Sequence, residues 1–194
     1  MRKFIRILCT SLVVFSLTLP LSACQEAEKP TETSNTASQS PKPVFGSFNL
    51  KDLEGNTVTD AIFAQADLTL VNIWGSYCSP CIEEMPDLGV LAQEYQGTGV
   101  QIIGLLSDAL NSSGSPAEDV LQTAKGIVEE TGASYPHLIP DIEMMTGALA
   151  GIQYIPTTVF VDKNGAQVGK PLVGPRNKSQ WKQEIDTRLE GLKR

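Results

Sequence analysis

Histidine is scarce in this chain, and cysteine is only a little more common. The 194 residues include one histidine, His137, and four cysteines. Cys9 and Cys24 belong to the N-terminal segment, which leaves Cys78 and Cys81 as the thiols of the remaining chain. A structural zinc site needs four such ligands. We therefore expect no metal and no other cofactor, and we interpret His137 as a structural loop residue.

Basic residues are also in deficit. The chain holds 15 lysines and arginines against 22 aspartates and glutamates, which gives a net charge of −7 at pH 7. Arg2, Lys3 and Arg6 lie at the N-terminus, and without them the balance is 12 against 22, or −10. Nucleic acids and anionic lipid surfaces attract positive charge. The balance argues against both as partners.

The apolar run near the N-terminus is too short for an ordinary membrane span. It covers Ile7–Leu19 and contains serines and threonines, whereas a span takes about 20 apolar residues. A basic start before it is typical of a secretory signal. Leu21-Ser22-Ala23-Cys24 closes the run and resembles a bacterial lipobox, in which the cysteine is lipidated and becomes the new N-terminus. We predict a signal peptide over residues 1–23 and a lipidated Cys24, with an uncleaved membrane helix as the alternative.

Strongly apolar side chains are missing from the next segment, residues 24–43. Serine, threonine, proline and glutamate dominate it. A segment of this composition cannot bury enough surface to fold. We predict a disordered tether of at most ~65 Å when extended. It would join the lipid on Cys24 to one folded domain over residues 44–194.

Within the folded part, a Cys-x-x-Cys motif stands between a predicted strand and a predicted helix. The apolar run Leu68–Trp74 ends in small and turn-forming residues, and a helical pattern follows the motif. Cys78 then lies at a helix N-terminus, where unpaired N–H groups and the helix dipole favour a thiolate. Cys81 follows by nearly one turn and can attack it. We interpret Cys78 as the nucleophile and Cys81 as the resolving thiol. A structural disulfide is the alternative, although so small a ring stabilises little.

Two segments resemble a known family. Trp74–Pro86 resembles the active-site signature of thioredoxin-fold proteins and, more narrowly, of the extracytoplasmic TlpA/ResA-like thiol-disulfide oxidoreductases. Tyr154–Asp162 is similar to the cis-proline loop of that family and the strand after it. The resemblance implies that Pro156 is a cis-proline that faces the dithiol, whereas an ordinary trans proline before a strand is the alternative.

Two glutamates follow the motif. Glu84 comes three residues after Cys81 and shares its helix face, whereas Glu83 points elsewhere. Glu84 also matches the glutamate of the family's Cys-x-x-Cys-x-x-Glu pattern. We predict that it accepts the Cys81 proton when a mixed disulfide resolves, with a solvated charge near the helix start as the alternative. Two residues depart from relatives: Tyr77 replaces the family's usual tryptophan, and Asn72 stands where cytoplasmic thioredoxins carry a buried acid.

Strand and helix patterns alternate along the folded part. In chain order we predict a hairpin at 48–58, a strand at 68–74, a helix at 79–95, a strand at 100–106, a helix at 117–130, an extended piece at 135–139, a helix at 142–150, a hairpin of strands 157–161 and 167–173, and a helix at 179–192. Pro86 should kink the first helix. This order predicts an α/β fold with a mixed central sheet flanked by helices. The resemblance makes it thioredoxin-like, with an N-terminal β-hairpin.

The resemblance implies a membrane-anchored, monomeric thiol-disulfide oxidoreductase outside the cytoplasm that reduces disulfides of exported proteins. Its electrons would come from a membrane thiol-disulfide carrier of the CcdA/DsbD kind. Apocytochrome c and methionine sulfoxide reductase are the implied clients. Two alternatives stay open: a disulfide-forming oxidase of the same fold, and a non-catalytic binding lipoprotein. A peroxiredoxin is disfavoured, because its peroxidatic cysteine lies in a motif without Cys-x-x-Cys.

Overall fold

The structure, a computed structural model, describes residues 42–194. The predicted signal peptide, the predicted lipid site at Cys24 and nearly all of the predicted tether lie outside the described residues. The strands are β1 (Asn49–Asp52), β2 (Thr57–Thr59), β3 (Leu68–Trp74), β4 (Val100–Leu106), β5 (His137–Ile139), β6 (Thr157–Asp162) and β7 (Leu172–Val173). The helices are α1 (Ser79–Glu94), α2 (Glu118–Thr131), α3 (Ile142–Thr146) and α4 (Lys178–Leu192), with a 3-10 helix at Asp60–Gln65. Within residues 42–194, no helix combines the length and apolarity that crossing a bilayer requires.

The seven strands form one mixed sheet in the order β2-β1-β5-β4-β3-β6-β7. β4 runs parallel to both β3 and β5, and the other neighbouring pairs are antiparallel. The predicted N-terminal hairpin is confirmed as β1 and β2, which extend the sheet beyond β5. β3 lies inside the sheet between β4 and β6, and all seven of its residues are buried. This agrees with its nearly continuous apolar run, because a strand covered on both faces has no solvent side.

Hydrophobic side chains cover both faces of the sheet. On one face, Leu70 of β3 packs in a cluster with Leu88 of α1 and Ile185 of α4. On the other face, Val71 packs in a second cluster with Phe63 of the 3-10 helix. Because neighbouring residues of a strand point to opposite faces, one short strand supplies both clusters. The predicted arrangement of a mixed sheet with helices on both sides is confirmed.

Two predicted elements and the placement of one residue differ from the structure. The predicted strand 167–173 is reduced to β7 and an isolated bridge at Gln167, because Gly169 has a φ of +73° and Pro171 cannot donate to a ladder. The predicted helix 142–150 ends at Thr146, since the backbone of Gly147 is not helical. His137 lies in β5 with no exposed surface, so its placement in a loop was wrong.

Candidate active site

The Cys-x-x-Cys pair lies at the junction between the end of β3 and the start of α1. Cys78 is the N-cap residue of α1, and its Sγ accepts a hydrogen bond of 3.3 Å from the Cys81 backbone N–H. The two cysteines form a disulfide bond. Cys81 is fully buried, and Cys78 keeps 6% of its surface exposed. The prediction that Cys78 is the more accessible sulfur is confirmed. It is therefore the sulfur that an external thiol or disulfide reaches first.

An aspartate from another loop holds the turn that precedes Cys78. Both carboxylate oxygens of Asp108 accept from the Ser76 N–H at 3.1 Å, and one accepts from the Ser76 hydroxyl at 2.6 Å. The neighbouring Ser107 N–H donates to the Trp74 carbonyl at 2.8 Å. Asp108 was not predicted as a site residue. It sits in a polar loop whose composition gives no sign of which side chain turns inward.

Glu84 lies in the protein interior, with only 2% of its surface exposed. Its Oε1 accepts from the Asn72 side-chain amide at 2.9 Å. Its Oε2 accepts from the Arg176 backbone N–H at 3.0 Å and from the Trp181 indole N–H at 3.2 Å. The alternative of a solvated charge is therefore wrong for Glu84, whereas Glu83 is exposed.

The surroundings of Glu84 change its proton affinity. Burial raises the pKa of this carboxyl to about 7, because a charged group loses solvation in the interior. The hydrogen bonds from Arg176, Asn72 and Trp181 act in the opposite direction, since they stabilise the carboxylate. Both protonation states are consequently accessible near neutral pH. A group in that condition can take up and release a proton during a reaction.

Two of the groups that bind Glu84 come from the far end of the chain, and sequence reasoning missed them. Arg176 precedes the capping box of α4, in which the side chains of Asn177 and Gln180 each accept from the other's backbone N–H. Trp181 follows in the first turns of the helix, and the Arg176 guanidinium lies 5.2 Å from its ring centroid. The Asn-x-x-Gln pattern marks the helix start. It carries no information on which residue the helix start approaches.

Asn72 links the strand to the helix. Its Nδ2 donates to Glu84 and also to the Thr158 hydroxyl, at 3.3 Å. Asn72 is buried in the middle of β3. The buried acid of this site is therefore supplied by α1, and the strand position holds an amide that donates to it.

The loop before β6 lies against the turn that leads to the dithiol. The Ile155–Pro156 peptide bond is cis, as the resemblance predicts. A Cβ added to Gly75 would lie 3.0 Å from the Ile155 side chain, so the two loops are in close contact. Two tyrosines beside these loops, Tyr77 and Tyr154, are 74% and 69% exposed. Both line an open cavity of about 230 Å³. A partner chain that approached Cys78 would meet these aromatic rings.

No group of three or more histidine, cysteine, aspartate or glutamate side chains in residues 42–194 is arranged to hold a metal ion. The groups that the site does present are the Cys78–Cys81 pair, the buried Glu84 carboxyl and backbone N–H groups. Its chemistry is thiol–disulfide exchange, in which a thiolate attacks a disulfide sulfur.

Comparison with known proteins places the chain in a family. It belongs to the AhpC/TSA family, which it matches over residues 43–166. It is 30% identical to the thiol-disulfide oxidoreductase ResA of Geobacillus thermodenitrificans over 189 residues, 96% of this chain and 98% of that protein. It is also 30% identical to the thiol:disulfide interchange protein HelX of Rhodobacter capsulatus over 133 residues, 69% of this chain and 67% of that protein.

Solved structures agree on the fold. A thiol:disulfide interchange protein of the thioredoxin family from Chlorobium tepidum TLS matches with a TM-score of 0.62 at 24% identity, covering 77% of this chain and 96% of that one. The predicted thioredoxin-like fold is confirmed. Together with the Cys78–Cys81 pair, these relatives make the chain a thiol-disulfide oxidoreductase. The alternative of a non-catalytic binding protein is therefore wrong.

Proposed function

We propose that this enzyme is anchored outside the cytoplasm by a lipid on Cys24 and reduces the disulfides of exported proteins as a monomer. The basic start, the apolar run and Leu21-Ser22-Ala23-Cys24 support the location and the anchor. The similarity to ResA over nearly the whole chain supports an exchange reaction on other proteins.

The charges near the dithiol favour reduction over oxidation, and the buried Glu84 carries this argument. In strong oxidants of the thioredoxin class, the reduced form is the stabilised one. Among residues 42–194, Cys78 Sγ accepts one backbone hydrogen bond, and no lysine, arginine or histidine side chain donates to either sulfur. Glu84 lies about one turn after Cys81, and its negative charge opposes a nearby thiolate. A less stabilised reduced form gives up its electrons more readily.

The proposed reaction proceeds in two exchanges. The Cys78 thiolate attacks one sulfur of a client disulfide, so that a mixed disulfide forms and the other client sulfur leaves as a thiolate. Cys81 then gives its proton to Glu84 and attacks Cys78 Sγ, which releases the second client sulfur. Two electrons pass to the client, and the Cys78–Cys81 disulfide forms. The leaving client thiolates take up protons from solvent and from Glu84.

Reduction of the Cys78–Cys81 disulfide must come from another dithiol. By family resemblance we propose a membrane carrier of the CcdA/DsbD kind as the donor, with apocytochrome c and methionine sulfoxide reductase as clients. The cis-Pro156 loop contacts the turn that precedes Cys78, which supports binding of an extended client segment that pairs with the backbone of Ile155.

Trapping of mixed disulfides tests this function. Cys81→Ser removes the resolving thiol, so clients should accumulate on Cys78. Cys78→Ser should trap almost nothing, because Cys81 is fully buried. Cells expressing each variant are quenched with acid, and the adducts are identified by mass spectrometry. Adducts with a membrane dithiol carrier and with cytochrome or repair-enzyme clients support the reductase.

Two other outcomes would redirect the assignment. Adducts with newly exported proteins and a quinone-linked partner would favour the oxidase. The midpoint potential of the Cys78–Cys81 couple gives an independent measure of direction. We expect it nearer to the ~−270 mV of thioredoxin than to the ~−120 mV of DsbA. A value near the latter would overturn the reductive assignment.

A further inference from the structure

A row of four paired residues crosses four neighbouring strands beneath α1. Asn72 of β3 pairs with Thr158 of β6 on one side and with Gly104 of β4 on the other, and Gly104 pairs with His137 of β5. Residues paired across strands project to the same face of a sheet. The Asn72 amide contacts Glu84, so this is the face that α1 covers. His137 therefore shares a sheet face with the Asn72–Glu84 pair.

The His137 ring packs over Gly104, where a residue with a side chain would leave it no room. A Cβ on Gly104 would lie 2.2 Å from His137 Nδ1 and 2.8 Å from Cε1, so the imidazole occupies that space. Neighbouring strands are ~4.8 Å apart, so Nδ1, at 2.2 Å from the Gly104 Cβ position, lies no more than ~7 Å from the Cβ of Asn72. Asn72 Oδ1 and His137 Nδ1 are both buried, and neither has a hydrogen-bond partner among residues 42–194.

The hydrogen bonds of the two side chains fix what can lie between them. His137 Nε2 is 2.9 Å from the Ala133 carbonyl, which only accepts, so Nε2 carries the ring proton. Burial keeps the ring neutral, because it lowers the pKa of His137 to about 4. Nδ1 is therefore an acceptor. Asn72 Oδ1 is an acceptor too, since Nδ2 points to Glu84 and Thr158. Two acceptors cannot bond directly, whereas one water molecule donates to both.

Trp74 supplies a candidate hydrogen-bond donor to the oxygen of such a water. The indole N–H of Trp74 is buried without a partner in the described part of the chain, and the Trp74 ring stands edge-on to His137 at 5.3 Å. An internal water with three polar partners meets the usual requirement for a conserved buried water. One water between these three side chains would pair three buried groups that have no partner in residues 42–194.

We propose that a water bound by Asn72, His137 and Trp74 makes His137 a positioning residue for Glu84. The water holds Asn72 Oδ1 and so keeps the amide NH₂ directed at the Glu84 carboxylate. That donation stabilises the ionised form. The other groups around Glu84 are the dithiol, Arg176 and Trp181, which donate to Oε2, and Tyr135. The Tyr135 hydroxyl is also buried without a partner in residues 42–194, and its ring stacks on His137 at 4.5 Å. The inference deepens the proposed function and rests on it only as far as Glu84 transfers a proton.

A matched pair of substitutions tests the water-mediated contact. His137→Asn puts an amide oxygen near the position of Nδ1 and keeps the acceptor. His137→Gln reaches the position of Nε2 and keeps the contact with the Ala133 carbonyl, but it removes that acceptor. The readout is the pKa of the Glu84 carboxyl, followed by carbon-13 NMR in the oxidised, full mature chain in detergent. We expect a rise of about half a pH unit or more in His137→Gln and little change in His137→Asn.

The outcomes separate the proposal from its premise. An unchanged pKa in His137→Gln, or equal shifts in both variants, would overturn the positioning role. Should the variants fail to fold, a high-resolution crystal structure of the wild type decides, because a water must lie within hydrogen-bonding distance of both Asn72 Oδ1 and His137 Nδ1. Its absence refutes the proposal. The proton-transfer role of Glu84 is measured separately by the resolution rate of Glu84→Gln, so its failure leaves the NMR result unaffected.

Discussion

At the scale of single residues, Glu84 and Glu83 differ in environment although they are neighbours in the chain. Helical periodicity separates them correctly, because a spacing of three from Cys81 places Glu84 on the inner face. Periodicity does not give the depth of burial. That depends on Arg176 and Trp181, which lie 92 and 97 residues further along the chain and reach Glu84 only after the sheet and α4 have packed.

Replacing Glu84 by glutamine should slow the resolution of mixed disulfides. The amide has nearly the size of the carboxyl, but its NH₂ replaces an oxygen that accepts from N–H donors. It also cannot accept the Cys81 proton, so we expect a loss of ~10²-fold at pH 7. The pH profile of resolution should also lose its step near pH 7, the pKa to which burial raises Glu84. Stopped-flow measurement with a mixed disulfide on Cys78 gives both quantities. Glu83→Gln is the control, and equal slowing in the two variants would count against the assignment.

Glu84 and His137 should also oppose one another in the pH dependence of stability. The native state binds the Glu84 proton more tightly than the unfolded chain does, so this stabilisation is full below pH 4.5 and is lost as the pH rises through about 7. The pKa of His137 falls from 6.5 to about 4, so its stabilisation is full above pH 6.5 and is lost as the pH falls through about 4. Each contribution amounts to roughly 3 kcal/mol at most.

Glu84→Gln removes one of the two opposing contributions. The free energy of unfolding of the oxidised variant should then rise with pH between about 4 and 6.5, the interval in which His137 titrates, by up to roughly 3 kcal/mol relative to wild type. Guanidinium unfolding at several pH values measures this difference. Glu83→Gln should follow the wild-type curve, since Glu83 is exposed. A Glu84→Gln curve parallel to wild type would contradict the opposition.

At the scale of secondary-structure elements, the turn between β3 and α1 is held by a loop that follows β4. Pairing of Ile73 with Leu105 and of Trp74 with Leu106 aligns the ends of the two strands. The residues after each strand are thereby adjacent, and Asp108 reaches Ser76. The strand boundaries could be predicted because their apolar runs are local. The residue that binds the turn could not be predicted, because several polar residues in the same loop could equally well accept its hydrogen bonds.

Loss of Asp108 should loosen the segment that carries Tyr77 and Cys78. Asp108→Ala removes the acceptor of the Ser76 N–H and hydroxyl, so we expect thiol–disulfide exchange with a synthetic peptide disulfide to slow by ~10-fold to 10²-fold. Asp108→Asn keeps one acceptor oxygen and should lose less. Circular dichroism checks that both variants keep the fold. The role assigned to Asp108 fails if exchange by the folded Asp108→Ala variant proceeds at the wild-type rate.

At the scale of the whole molecule, the sequence predicted the class of fold and the reacting sulfurs but not the shape of the site's interior. β3 and β4 were predicted with their observed ends, because a buried central strand is a continuous apolar run. The short β7 was missed because the positive φ of Gly169 is not visible in a composition pattern, and the early end of α3 was missed because the non-helical backbone of Gly147 is not visible there either. Contacts across the whole chain, such as Glu84 with Trp181, appear only in the folded molecule.

At this scale, the proposed lipid anchor also determines how close the enzyme lies to its membrane electron donor. A lipid on Cys24 and a segment of at most ~65 Å would keep the domain close to the membrane and raise the effective concentration of a membrane carrier.

Cys24→Ser should therefore move the protein out of the membrane fraction. It should also slow re-reduction of the Cys78–Cys81 disulfide in cells, while exchange with a soluble peptide disulfide stays unchanged, because the folded domain is unaltered. Fractionation and alkylation of trapped thiols measure both effects. Cys9 lies within the predicted signal peptide, so Cys9→Ser is the control. An unmodified Cys24 in the mature wild-type protein, measured by mass spectrometry, would refute the lipid anchor and favour an uncleaved N-terminal helix.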